Sequence, residues 1–409
     1  MLGYPPESGR SPPRPSLTSR LFFREERTSS GLAGKLLGLI LTAGFCGFTP
    51  GAASASTNEG GAATLKVREE LDLATPGSAV AVTWSADGSA LAAASNYGGV
   101  LTVWDRAGHL VRQIQRIGGG PTLGGSLAFI HGSSQLVFPP PQTPNASTAL
   151  AVWDVSTGQI IKTVDGPQPG DESALNVAEH FMMTPDHALL AAATRTAGGW
   201  KNFRDNLIIY ETGSWQVIHT AALLHGAPSL CVFANGRFIG TGSVSGGRVS
   251  IVETRTGEIV KDFQAYEESK YGSSLLGAIA GSPAGDLLMV GVTSTVLYGG
   301  EYLGTPEQRA WAEARDSTEA VRLFRVKDGA QVSTFSAAKG PIRQAMWDPK
   351  GRFVAFVDNH AGLFLWAPWA GSDYKKVDLP TKTLSLAISP DGNRIAVTTD
   401  RGVSVYSVQ

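Results

Sequence analysis

The chain is poor in the residues that define several protein classes. It has two cysteines in 409 residues, Cys46 near the N-terminus and Cys231 in the body. One body cysteine closes no internal disulfide, and within the apolar run Leu230-Cys231-Val232-Phe233 it reads as a small buried hydrophobe. Charged residues make up only 17% of the chain, and beyond residue 55 there are 28 basic against 32 acidic side chains. A mildly acidic body without a basic stripe argues against nucleic acid as a partner. There is no G-x-S-x-G, no H-E-x-x-H and no glycine-rich phosphate loop opening a helix, and the seven histidines are scattered. These absences weigh against an enzyme and leave no motif that calls for a cofactor.

Long hydrophobic runs are missing too. The apolar stretch Leu36–Phe48 has about 13 residues, which as a helix gives about 20 Å against a bilayer core of roughly 30 Å. It follows Lys35 and precedes Ala53-Ser54-Ala55, the small-x-small pattern that signal peptidase accepts. Residues 1–55 therefore read as a Pro/Ser/Arg-rich start and a secretory signal, residues 56–62 as a linker, and residues 63–409 as the folded body. The alternatives are an uncleaved anchor and a lipoprotein signal at Cys46, though Phe45 stands where a lipoprotein signal wants a small residue. The expected location is outside the cytoplasm, periplasmic or extracellular, with no stable membrane span after cleavage.

What the body does contain is repetition. Seven turns recur between apolar runs, at Ser85-Ala86-Asp87-Gly88, Ile130-His131-Gly132-Ser133, Thr184-Pro185-Asp186-His187, Ala234-Asn235-Gly236-Arg237, Ser282-Pro283-Ala284-Gly285, Asp348-Pro349-Lys350-Gly351 and Ser389-Pro390-Asp391-Gly392. Their spacings run from 41 to 66 residues. Periods near 40–45 mark a four-stranded propeller blade, with the excess in loops. Asp-Gly between apolar runs is a hairpin signal, because glycine supplies the positive φ that such turns need. Middle strands such as Leu150–Trp153, Leu207–Tyr210 and Leu363–Trp366 are apolar at successive positions, as in a sheet buried on both faces. The third-to-fourth strand turns, Asp154–Gly158, Glu253–Gly257 and Val326–Gly329, are acidic and glycine-closed, and they read as structural.

The last unit stops after three strands, Leu384–Ile388, Ile395–Thr398 and Val403–Ser407. Thr64–Leu71 has no partners of its own, and beside Val403–Ser407 it would complete the seventh blade and remove an open edge. The expected fold is thus all-β: a seven-bladed β-propeller of four-stranded antiparallel blades, closed by an N-terminal strand pairing with the last blade.

At this point the chain resembles the WD40-repeat family over residues 63–409. Trp104-Asp105 and Trp153-Asp154 carry the family dipeptide, and Ser389-Pro390-Asp391-Gly392 is its usual first-turn wording. Later units replace the dipeptide with Tyr210-Glu211, Val252-Glu253, Phe324-Arg325, Trp366-Ala367 and Tyr406-Ser407. The Gly-His that often precedes the first strand is missing, as is the usual Asp of the second-to-third strand turn. The family's internal hydrogen-bond tetrad is not expected here. The resemblance implies the propeller and a scaffold or recognition role, in a body expected to be a monomer.

In that family the second-to-third loops and blade-to-blade loops share one face. Three insertions fall on it: Phe138–Asn145, Thr194–Asn206 and Leu297–Thr318. Loops on a rigid scaffold are where binding residues collect. The third contains a helix start, Thr305-Pro306-Glu307-Gln308, with a capping-box pattern, followed by Ala310, Trp311 and Ala314 on one side. Trp311 either packs this helix onto its own blade or anchors a partner. The same face is expected to gather Tyr97, Trp200, Phe203, Tyr266, Tyr271, Tyr298 and Tyr302, interleaved with Lys201, Arg204, Glu267, Glu268 and Lys270. Each aromatic alone reads as local packing, and together they suit a protein, peptide or glycan surface. The reading these features favour is a non-catalytic platform for a protein or peptide. The competing one is a propeller hydrolase or lactonase with an axial metal near His180, Asp171 and Glu172.

Overall fold

The computed structural model describes residues 64–409 apart from 96–98, 116–126, 131, 133, 139–147, 166–177, 196–204, 224–228, 244–245, 298–303, 318 and 371–372. All described residues belong to one compact unit, residues 57–409. The signal, anchor and lipoprotein readings of residues 1–55 lie outside them.

Seven four-stranded antiparallel sheets follow one another along the chain. Blade one is Ala79–Trp84, Ala90–Ser95, Val100–Asp105 and Leu110–Gln115. Blade two is Ala128–Ile130, Gln135–Phe138, Thr148–Asp154 and Ile160–Asp165, and blade three is Ala178–Met183, Leu189–Arg195, Asp205–Glu211 and Val217–Leu223. Blade four is Ser229–Phe233, Phe238–Gly242, Arg248–Glu253 and Ile259–Gln264, and blade five is Ala278–Gly281, Leu287–Gly291, Val321–Arg325 and Gln331–Phe335. Blade six is Ile342–Trp347, Val354–Asp358, Gly362–Trp366 and Tyr374–Asp378. Blade seven is Leu386–Ile388, Arg394–Thr398, Gly402–Val408 and, out of sequence order, Val67–Ala74. The protein is a seven-bladed β-propeller.

The N-terminal strand lies three residues beyond the expected Thr64–Leu71. It runs antiparallel to Gly402–Val408, from Val67 opposite Val408 to Ala74 opposite Gly402, with a bulge at Glu70. The bulge sits where Arg394 reaches the Glu70 carboxylate at 2.5 Å. Leu73 then packs with Val82, Trp84, Leu91, Trp104, Ala396 and Val405, so one apolar cluster joins blades seven and one.

The core is the set of seams between blades. Ala90–Ser95, Val354–Asp358 and Gly362–Trp366 are buried at every position, as strands sandwiched on both faces must be. Ala278, Met289, Leu323, Phe335, Val354, Phe356 and Trp366 form one cluster across blades five and six. Trp347 of blade six adds a directional contact, its indole N–H donating to the Ala280 carbonyl of blade five at 2.9 Å.

Four first-to-second strand turns, those of blades one, three, five and seven, are held by one device. The Ser85 hydroxyl donates to Asp87 at 2.6 Å and accepts the Ala90 N–H at 2.9 Å. Thr184–Asp186, Ser282–Asp286 and Ser389–Asp391 repeat it. Blade six substitutes a buried ion pair, Asp348 with Arg352 at 2.9 Å. Glycine takes the left-handed position in these turns at Gly88 (φ 66°), Gly351 (φ 73°) and Gly392 (φ 67°), while blade three places His187 there at φ 57°.

A second device links successive blades at the rim. Arg112 donates to the Ser156 carbonyl, Lys162 to Ser214 at 3.4 Å, His219 through Nε2 to Arg255 at 2.5 Å, and Lys261 to Lys327 at 3.1 Å. Each comes from the outermost strand of one blade and grips the third-to-fourth strand turn of the next, from blade one through blade five.

The expectation of a missing second-turn Asp needs correction for blade six. Asp358 ends its second strand, is 1% exposed, and accepts the N–H groups of Lys339, His360 and Gly362 at 3.1, 2.9 and 2.8 Å. The turn around it reads Asp-Asn-His-Ala-Gly, which departs from the family's usual wording. Elsewhere Ser95, Ser243 and Thr399 close the equivalent turns with hydroxyls.

Candidate functional site

Antiparallel order 1-2-3-4 puts the first and third turns of every blade at one end, called lower here. The second turns and the blade-to-blade connections lie at the upper end, where the insertions emerge. The first two insertions fall largely outside the described residues, and so do Tyr97, Trp200, Phe203, Tyr298 and Tyr302. Tyr266, Tyr271 and Trp311 are described, and they lie together.

The third insertion folds as the sequence signals require. Thr305 caps the helix Pro306–Asp316, its hydroxyl accepting the Gln308 N–H while the Gln308 side chain accepts the Thr305 N–H, and Pro306 fills the first helical position. Before the helix comes a two-stranded ribbon not foreseen from the repeat, Gly272–Leu275 against Ser294–Leu297. The ribbon extends blade five upward and gives the helix a bed. Thr295 of the ribbon donates to the Asp316 carboxylate at 2.5 Å. Burial raises the Asp316 pKa despite this hydrogen bond.

The aromatic cluster is built around two guanidinium groups. Arg315, in the last helical turn, is 7% exposed and lies 5.5 Å from the Tyr266 ring centre and 5.7 Å from that of Trp311. Arg322, from the third strand of blade five, lies 4.3 Å from the Tyr266 ring and donates to the Ala265 carbonyl at 3.0 Å. Glu319 bridges both cations, at 2.7 Å from Arg315 and 3.0 Å from Arg322. Each cation–π contact contributes about 0.5–2 kcal/mol, the upper part of that range applying to desolvated pairs.

Tyr266 is therefore a core residue, not part of an exposed surface. It is 1% exposed, its hydroxyl donates to the Val290 carbonyl at 3.3 Å, and burial pushes its pKa well above the usual phenol range against the pull of Arg322 and Arg315. Trp311 and Tyr271 are half-buried, with ring centres 6.4 Å apart. Lys270 lies 5.0 Å over the Tyr271 ring, and Glu267, Glu268 and Lys270 are exposed beside it. Trp311 lies against Arg315, which pins its helix to Tyr266. Arg315, Glu319 and Arg322 were missed in the sequence. The available signal was a base in the last helical turn, where it complements the helix dipole.

Two cavities open near these groups. The smaller, about 460 Å³, is lined by Gly246, Arg248, Gln264, Glu267 and Glu268. The larger, about 730 Å³, runs along the propeller axis and is lined by the innermost strands of all seven blades. His180 lies on its wall, as expected, while Asp171 and Glu172 fall outside the described residues. Among the described residues no group of three His, Cys, Asp or Glu side chains is placed to hold a metal. Cys231 is buried with its thiol pKa pushed up to about 12 by desolvation, which keeps it protonated and unreactive. No helix among the described residues is long and apolar enough to cross a membrane.

Fold and site together define a β-propeller with a clamped helical insertion at its upper end. A scan against protein-family models finds no match, and a search of curated proteins finds none either.

Proposed function

We propose that this protein is an exported, non-catalytic recognition platform of WD40-like type, which engages a protein or peptide partner through its inserted-loop end. The supporting observation is the clamp: Arg315, Arg322 and Glu319 fasten the inserted helix around Tyr266, leaving Tyr271 and Trp311 half-buried beside exposed Lys270, Glu267 and Glu268. A rigid, amphipathic aromatic patch with adjoining charges is the composition of recognition hot spots. Holding it on a preformed scaffold lowers the ordering cost of association. Tyr97, Trp200, Phe203, Tyr298 and Tyr302 are the further partner contacts in this reading.

The test is affinity capture from the source's envelope fraction with residues 56–409, followed by a direct binding assay on the captured partner. Trp200→Ala, Phe203→Ala and Tyr302→Ala combined should abolish binding while thermal stability stays unchanged. Undiminished binding by this variant overturns the loop-end reading. N-terminal sequencing of the envelope-derived protein should place the mature start close to residue 56; an intact residue 1 overturns cleavage.

A further inference from the structure

The axial cavity has a chemical polarity that the loop-end reading does not use. Its volume, about 730 Å³, lies within the usual range of small-molecule sites, roughly 300–1,000 Å³. Among the described lining residues, Arg343 is the only arginine, lysine or carboxylate. Its place is a consequence of strand irregularity. Ile342 pairs with Asp358 and Gln344 with Val357, so Arg343 is the unpaired residue of a bulge at the upper start of blade six's innermost strand. Bulges re-aim side chains, and this one brings a guanidinium to the wall of the axis.

The guanidinium is positioned but not neutralised. Its Nη2 donates to the Asn359 amide oxygen at 2.9 Å. Its Nε is shut off from solvent and has no acceptor, and among the described residues no carboxylate forms an ion pair with Arg343. Next to it, Gln344 accepts the Leu386 N–H at 2.8 Å. A backbone N–H can only donate, so the Gln344 amide oxygen faces it and the amide NH2 is left for another acceptor. Ser229 and Thr293 add polarity at the same end. Lower on the wall, the apolar side chains Trp84, Phe129, Met182, Ile279 and Met346 stand beside Thr83, Thr184 and His187. Methionine side chains there can adapt to varied shapes.

We propose that the axial cavity binds a small amphiphilic organic anion, its carboxylate or phosphate head on Arg343 and Gln344 and its apolar body directed down the axis. An unpaired, half-buried cation is unfavourable in a low-dielectric cavity, and two oxygens of a carboxylate or phosphate head match the guanidinium fork while offsetting that charge. The apolar wall removes the tail from water.

The experiment is isothermal titration and thermal shift of the intact protein with octanoate and with octyl phosphate, beside octylammonium as the control of equal tail and opposite charge. At least one anion should bind at one per chain and raise the melting temperature, and octylammonium should do neither. Which anion binds more tightly distinguishes the two head groups. Arg343→Gln should weaken binding by roughly tenfold to a hundredfold, the loss of a charged hydrogen-bonded contact, and Arg343→Lys should weaken it less. No binding of either anion, equal binding of octylammonium, or binding unaffected by Arg343→Gln overturns the proposal. If Arg343→Gln does not fold, Arg343→Lys combined with Gln344→Leu serves in its place, with retained full affinity counting against the site. Loop-end variants at Trp200, Phe203 and Tyr302 should leave anion binding unchanged, so the two sites are separable.

Discussion

The ion pair of blade six is the place where one substitution should reach furthest. Asp348 is fully buried, and its two carboxylate oxygens take three bonds from Arg352: the backbone N–H at 3.0 Å, Nε at 2.9 Å and Nη2 at 3.0 Å. The same guanidinium reaches the Gly392 carbonyl of blade seven at 2.5 Å, so the pair fastens two blades. Arg352→Ala would strand a buried carboxylate with a single N–H and should cost about 3–5 kcal/mol, the range for breaking a buried pair. Asp348→Ala should cost less, about 2–3 kcal/mol, because the Arg352 side chain is 22% exposed and can recover water. The double variant should fall well short of the sum, since each single change already removes the interaction. Urea unfolding followed by tryptophan fluorescence measures all three. Single costs below about 1 kcal/mol, or strict additivity, would refute the view that this pair replaces the hydroxyl–carboxylate device of blades one, three, five and seven.

Three further outcomes follow from other contacts. Gly242→Ala would place a Cβ 2.4 Å from the Leu276 carbonyl oxygen and 2.8 Å from the Ser229 hydroxyl, with backbone unable to yield; a loss of about 2–4 kcal/mol in chemical denaturation is expected. Leu73→Ala should cost about 2–4 kcal/mol, because Leu73 is 7% exposed in the seam of blades seven and one; a neutral result would mean that the N-terminal strand contributes little there. Stability should be insensitive to pH above about 5 as far as the turn carboxylates are concerned, and should decline below about 4. Hydrogen bonds from Ser85 and Ser89 hold Asp87 below the usual carboxylate range. At Asp391 burial pushes upward, but the Ser389 hydroxyl, the Asn393 N–H and Arg106 outweigh it. Groups that bind their proton more weakly when folded stabilise fully above the unfolded value and lose that contribution as pH falls through the folded one, so melting temperatures that rise on acidification would contradict these assignments.

Physical locality explains which features were readable in the chain and which were not. The seven turns, the buried middle strands and the Thr305 capping box are decided by residues a few positions apart, through the φ demands of hairpins, burial on both faces of a sheet, and the orphan N–H groups of a helix start. All were legible, and so was the pairing of an N-terminal segment with the last three strands, because an unpartnered strand and an incomplete blade point to each other. Its register was not: Val67–Ala74 is set by Gly402–Val408 and by the bulge at Glu70, more than 300 residues from its partner Arg394. The ribbon of Gly272–Leu275 with Ser294–Leu297 escaped notice for a related reason, since it adds a layer the repeat does not contain.

Tyr266 and Arg343 mark the boundary most clearly. On paper Tyr266 is an aromatic in a polar loop and Arg343 a charge interrupting an apolar strand, and neither pattern says where the side chain ends up. Folding of the third insertion brought Arg315 to Tyr266 beside Arg322 of blade five, turning an expected surface residue into the buried centre of a clamp. Assembly of seven innermost strands around one axis made the wall on which Arg343 stands. The amino-acid sequence by itself determined the blades, because each is a local hydrogen-bonded unit. The ring alone decided which side chains share a seam, a clamp or the axis, because those neighbours come from blades far apart in the chain.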